Sequence, residues 1–377
     1  MTFLFKKERD FLITPLVSNF LHLSRWLAAL VVVLSHVRAV SFPSYANLEE
    51  NGILWKLFYF VTSLGHEAVI IFFVLSGYLI GGEILRGLDN GSFSWKKYMT
   101  KRVVRLYIVL IPALFLTSIW DHVGYGFFNG SGMYDHYWTL NKETVHAFFL
   151  NLLMLQHSYG PLFGSNDPLW SLAYEFWYYL MFPLLVQVLY MRNSWLKAAS
   201  VLAFAAIVAL LNKDITLYFL IWLLGVGLWY LRSENILKLP YAGGVLTVLF
   251  LIAVVYSRYV SGFFGDFVVG VVFSGLILFF MAQPKISDRL SKLVNWPHNR
   301  TFADFSYSLY LLHFPLMLLA ANVAFIYWQD FRKEADGWNF LFFILLTGAV
   351  YLYSYGVYWM TERKTKEITK RLLTVFA

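Results

Sequence analysis

Arg25 and His36 stand at the two ends of the apolar string WLAALVVVLS. On an α-helix, a separation of eleven positions is about 16 Å along the axis and about 20° around it, so the two side chains share a face. Imidazole titrates near neutrality without a large shift, which suits a general base that takes a proton from an attacking hydroxyl. A guanidinium is a permanent planar cation suited to phosphate. A base at one depth and an anion anchor at another match a reaction in which a long donor with a phosphate head, such as acyl-CoA, reaches a hydroxyl acceptor at the base. Taken alone, Arg25 is also explained by snorkelling toward an interface.

Other ionisable residues fall at related depths. Glu175, and His66 with Glu67, are expected near the level of His36, so a histidine and one or two carboxylates can converge there. A carboxylate beside the ring would orient it and stabilise the imidazolium. Arg102 and Arg105 are three apart at the start of a helix and share a face; as a pair they suit phosphate, while nearby Lys96 and Lys97 are explained by topology. Of the nine histidines, only His36 and His313 lie well inside apolar runs, and His313 alone reads equally well as a hydrogen-bonded packing residue. Gly81–Gly82 and Gly243–Gly244 read as helix-packing sites. The sequence contains no HExxH, Walker or GxGxxG motif and no metal-ligand pattern. It has no cysteine, which removes disulfides and thiolate chemistry.

The elements that must position these groups are membrane helices. Of the 377 residues, 59% are hydrophobic and only 14% charged, against about a quarter charged in soluble domains. The mean hydropathy is +0.60, and the apolar residues come in runs near the ~20 residues that span a bilayer. Ten spans are expected: Leu21–Ser41, Gly65–Leu85, Val103–Asp121, Trp170–Tyr190, Leu196–Leu211, Ile215–Leu231, Tyr241–Ser257, Asp266–Ala282, Ala303–Ile326 and Trp338–Thr361. The fold class is therefore all-α and polytopic. With the N-terminus and its Lys6 and Lys7 in the cytoplasm, only Arg38, Lys56, Lys142, Lys213, Arg258, Arg332 and Lys333 of the 30 Lys and Arg residues lie outside. That bias puts both termini in the cytoplasm and assigns the net charge of +8 to topology, with no nucleic-acid partner. The stretch 121–169 is the longest outside the spans and contains an apolar patch, Ala147–Leu155, too short to cross. No removable signal peptide is expected, and residues 1–377 read as one integral-membrane domain without an appended soluble one.

Five stretches resemble the acyltransferase-3 family of membrane enzymes: RWLAALVVVLSH (Arg25–His36), FFVLSGYLI (Phe72–Ile80), KRVVRLYIVLIP (Lys101–Pro112), LWSLAYEFWYYLMFP (Leu169–Pro183) and FSYSLYLLHFPL (Phe305–Leu316). They occur in the family's order. Two places depart from its pattern. The usual opening around the arginine reads His22-Leu23-Ser24-Arg25-Trp26 here. The acidic position before FFVLSG is Ile70, with Glu67 one turn earlier as a substitute.

The resemblance implies transfer of an acyl group, most often acetyl, from cytoplasmic acyl-CoA to a hydroxyl of a cell-surface or lipid-linked glycan at the outer side of the inner membrane. It implies catalytic roles for His36 and Glu175, with Glu175 as the ring's partner or an acceptor contact. Donor binding falls to Arg25, Arg102 and Arg105, and substrate contacts to Glu67, Tyr310 and His313. The alternative from another class is a glycan or precursor transporter with intramembrane His and Glu as a proton relay. Neither an inverted repeat nor a pair of broken helices is visible to support it.

Overall fold

The computed structural model describes residues 14–48, 52–137, 142–190, 193–231, 241–283, 288–328, 331–332 and 335–375. Lys6, Lys7 and Lys333, used above for orientation, lie outside the described residues. Every regular element among the described residues is helical.

Helix α1 (Pro15–Ser41) starts where Thr14 accepts from the Val17 amide, with Pro15 at the first helical position, where its missing N–H costs nothing. After α2 (Ile53–Val61), α3 (Gly65–Ser76) runs into a wide π-turn, Gly77–Gly81, and continues as α4 (Gly82–Asp89). Helix α5 (Trp95–Phe128), capped by Ser94, extends eight residues upstream and seven downstream of the expected span. Short helices α6 (Met133–Tyr137) and α7 (Val145–Leu152) lie between α5 and α8 (Leu169–Tyr190). Then follow α9 (Ser194–Leu210), α10 (Lys213–Gly227), α11 (Ala242–Tyr259), α12 (Phe263–Ala282), α13 (Asp288–Val294), α14 (Asn299–Asp304), α15 (Ser306–Tyr327), α16 (Gly337–Met360) and α17 (Thr365–Val375).

Among the described residues, eight helical stretches are long and apolar enough to cross a membrane. The ten expected segments are all helical, but α9 and α10 have 17 and 15 residues. At about 1.5 Å per residue they fall short of a hydrocarbon core of about 30 Å.

Three contacts hold the elements that build the site. At the π-turn, a Cβ on Gly77 would stand 1.9 Å from the Trp222 carbonyl oxygen, and one on Gly225 would stand 2.1 Å from the Val74 carbonyl oxygen. Glycines therefore let α3 and α10 touch backbone to backbone. Gly81, Gly82 and Gly243 also sit against side chains, as expected; Gly244 has open space and is not a packing site.

The other two contacts replace helical hydrogen bonds that prolines remove from continuous helices. Pro183 cannot donate to the Tyr179 carbonyl, and the Tyr98 hydroxyl donates to it instead (3.0 Å). Pro315 likewise leaves the Leu311 carbonyl without its helical donor, and Asn166 Nδ2 supplies one (3.0 Å) while also donating to Thr117 Oγ1 (3.0 Å). Asn166 is held by its neighbour: the Ser165 amide and hydroxyl both donate to the buried Asp121 carboxylate (2.7 and 2.6 Å). The 121–169 stretch thus docks into the bundle, with Met154, Gln156 and Asn166 fully buried.

Candidate active site

A cavity of about 350 Å³ opens between α1, α3 with its π-turn, α5, α8 and α15. Its lining brings together Arg25 from α1, Arg102 and Arg105 from α5, Ser171, Glu175 and Tyr179 from α8, and Tyr307 and Tyr310 from α15. Three arginines expected to bind a donor therefore meet in one space, with Glu175 and Tyr310 in the same wall.

The three guanidinium groups are held differently. Arg105 lies 3.4 Å from the Glu362 carboxylate, which is buried and accepts from the Ser308 amide (3.1 Å) and hydroxyl (2.7 Å). Arg102 pairs with Glu83, which also takes Lys101 at 2.8 Å, and lies over the Tyr98 and Tyr179 rings. Arg25 makes no hydrogen bond or ion pair among the described residues; its electrostatic neighbours include Arg105, Glu362 and Glu175. An unpaired guanidinium in a cavity is a ready partner for an anion.

His36 is not among the residues lining this cavity. The wall reaches Tyr310, whose hydroxyl shares a 2.7 Å hydrogen bond with Ser171 and whose ring meets Phe72 edge to face. One turn further along α15, His313 Nε2 sits 2.8 Å from His36 Nδ1, with the two rings nearly parallel. His313 Nδ1 lies 3.0 Å from the Leu309 carbonyl oxygen. A carbonyl can only accept, so His313 Nδ1 carries the hydrogen and, in the neutral ring, Nε2 is the acceptor. His36 Nδ1 then donates to it, which leaves the lone pair on His36 Nε2. His313 is fully buried, whereas His36 keeps exposed surface.

This geometry corrects the expected convergence of carboxylates on the His36 ring. The ring partner of His36 is an imidazole, not a carboxylate, because α15 brings His313 against the ring. Glu175 is placed with the arginines and with Tyr179, whose hydroxyl it pairs with. Glu67 lies outside the cavity lining: Arg258 at 3.0 Å and the Ser257 hydroxyl at 3.0 Å tie it down, and it is buried. Glu83 and Glu362 were missed. Both sit at helix ends, where a carboxylate reads as solvated, and nothing in the local sequence ties Glu362 to Arg105.

The sequence profile of one family, described as an acyltransferase domain, matches residues 18–359. The chain is similar to the acyltransferase MdmB of Streptomyces mycarofaciens, 30% identical over 48% of this chain and 42% of that protein. It is similar to the putative peptidoglycan O-acetyltransferase YrhL of Bacillus subtilis, 25% identical over 69% of this chain and 45% of that protein. The O-acetyl transferase of Shigella phage Sf6 is 24% identical over 81% of this chain and 86% of its own length. The chain thus spans less than half the length of the first two relatives. No solved structure matches it.

Proposed function

Because this chain belongs to the acyltransferase-domain family, we propose that it moves an acyl group, acetyl by preference, from cytoplasmic acyl-CoA to a hydroxyl of a cell-surface or lipid-linked glycan on the outer side of the inner membrane. The observation that carries the reading is the cavity in which Arg25, free of any ion pair among the described residues, faces Arg102, Arg105 and Glu175. Two relatives are named as O-acetyltransferases, which supports acetyl as the group, and one of them as acting on peptidoglycan, which supports a glycan acceptor.

The donor's phosphates bind at the arginines and its thioester arm points along the cavity toward Tyr310. The acceptor hydroxyl attacks the thioester carbon while its proton passes to His36 Nε2. His313 accepts from the other ring nitrogen and holds the tautomer, the role an orienting carboxylate fills in other acyl-transfer sites. The tetrahedral intermediate collapses, the C–S bond breaks, and the leaving thiolate takes the proton back from His36 Nε2, which frees coenzyme A as the thiol and returns the ring to its neutral form. Glu175 and Tyr310 contact the reactants from the cavity wall.

The test is binding of labelled acetyl-CoA to the purified chain in nanodiscs. Saturable binding that disappears in Arg25→Ala, with loss of O-acetyl groups from surface glycans in cells carrying His36→Ala, is the expected pair of results. No binding at millimolar donor would sink the reading.

A further inference from the structure

A second cleft, of about 270 Å³, lies beside the main cavity, at the end of the bundle where α4 meets the start of α5. The two spaces share one residue, Glu83. Its carboxylate is gripped from both sides, by Arg102 of the main cavity and by Lys101 of the cleft. The cleft's own charges are Arg86, Lys97 and Lys101 against Glu83 alone, so it is net positive. The Lys97 ammonium makes no hydrogen bond or ion pair among the described residues, and the Arg86 guanidinium lies over the Trp229 ring, donates from Nε to the Gly82 carbonyl (3.2 Å) and shares Glu83 as its electrostatic neighbour. Phe93 and Tyr98 give the wall two aromatic rings 5.9 Å apart.

Three cations sharing one carboxylate next to aromatic faces fit a phosphorylated nucleoside, which needs charge for its phosphates and a flat apolar wall for its base. The shared Glu83 places the cleft directly beside the space assigned to the thioester arm. We infer that this cleft takes the adenosine 3′-phosphate end of the donor, with Lys97 and Arg86 on that phosphate, while the diphosphate stays with the arginines of the main cavity and the arm passes Glu83 into it. The inference rests on the acyl-CoA reading above. Glu83 is then an exchangeable counter-ion: it holds Arg102 and Lys101 in place until phosphate oxygens replace it.

Two donors separate the possibilities: acetyl-CoA, and acetyl-pantetheine, which has the arm without the nucleotide. In zwitterionic nanodiscs the unaltered chain should use acetyl-CoA with the higher kcat/KM, and Lys97→Glu should shrink that advantage about tenfold, the scale of one charge-assisted contact. Adenosine 3′,5′-bisphosphate alone should bind the unaltered chain and lose affinity by a similar factor in Lys97→Glu. If both donors are used and Lys97→Glu leaves their ratio and the bisphosphate affinity unchanged, the cleft is not the nucleotide site. If neither donor is used at all, the acyl-CoA reading fails and takes the inference with it. An effect of Lys97→Glu seen only with anionic lipid in the disc assigns the cleft to a lipid headgroup and overturns it too.

Discussion

His36 Nδ1 and His313 Nε2 lie 2.8 Å apart, and the Leu309 carbonyl fixes which ring donates. If His313 acts by holding the His36 tautomer, His313→Ala should lower kcat about a hundredfold with little change in donor KM, within the span of general-base effects. His313→Gln, whose amide oxygen can accept from His36 Nδ1, should recover part of that loss. Steady-state acetyl transfer by the three proteins checks this. Equal losses in both variants would show that His313 serves only to fill space.

Arg25 and Arg105 should fail in different ways. Arg25→Ala removes an unpaired cation and should raise donor KM about tenfold or more while leaving the melting temperature near that of the parent. Arg105→Ala removes the cation beside the buried Glu362 carboxylate and should destabilise the fold by about 1–3 kcal/mol, since Arg105 itself is partly exposed and Ser308 still donates to the carboxylate. Pairing Arg105→Gln with Glu362→Gln should recover much of that stability but not the donor affinity. Thermal denaturation in detergent beside donor titration separates the two. A large loss of stability in Arg25→Ala would contradict the assignment.

How legible this was from residues depends on the range of the contact. Helices follow from runs of apolar residues, so every expected span is helical, and Arg102 and Arg105 share the cavity because three positions make nearly one turn. Facing between distant helices is not encoded locally. The periodicity of α1 puts Arg25 and His36 on one side, but only the placement of α15 beside α1 shows that His313, and not Glu175 or Glu67, meets His36. Glu67 illustrates the same limit: its partners Ser257 and Arg258 come from α11, almost two hundred residues away. The extra turns of α5 escaped the reading because charged and polar residues at its ends look like loop, although Ser94 and the Asp121–Ser165 contact stabilise them.

Asn166 should matter to the reaction without touching a substrate. Its amide fills the gap that Pro315 leaves at Leu311, between Tyr310 and His313. Asn166→Ala leaves that buried carbonyl unpaired, at a cost of about 1–3 kcal/mol. It should also lower kcat by loosening the turn that carries both side chains. Thermal stability and single-turnover transfer, measured on one preparation, should fall together. A stable variant with full activity would show that α15 does not need the repair.

Gly77, within the FFVLSGYLI string, gives a packing prediction whose sign the geometry decides. A methyl group there would sit 1.9 Å from the Trp222 carbonyl oxygen and 2.9 Å from its carbon, and both atoms are backbone. No rotamer change relieves such a clash, so α10 must move away from α3. That movement also breaks the reciprocal seat of Gly225 against Val74 and pulls on Ser76, which accepts from the Trp222 indole (3.1 Å). Ser76 and Leu79 line the cavity, so the displacement reaches the donor site directly. Gly77→Ala should therefore cost about 1–3 kcal/mol as overpacking and weaken donor binding as well. Gly262→Ala is the useful contrast: it sits in open space at φ +90°, away from both cavities, so it should lose roughly 1 kcal/mol to backbone strain alone. Melting temperature and acetyl-CoA titration on the two variants should show stability falling in both and affinity falling only in the first. Unchanged affinity in Gly77→Ala would mean that the α3–α10 contact does not shape the cavity.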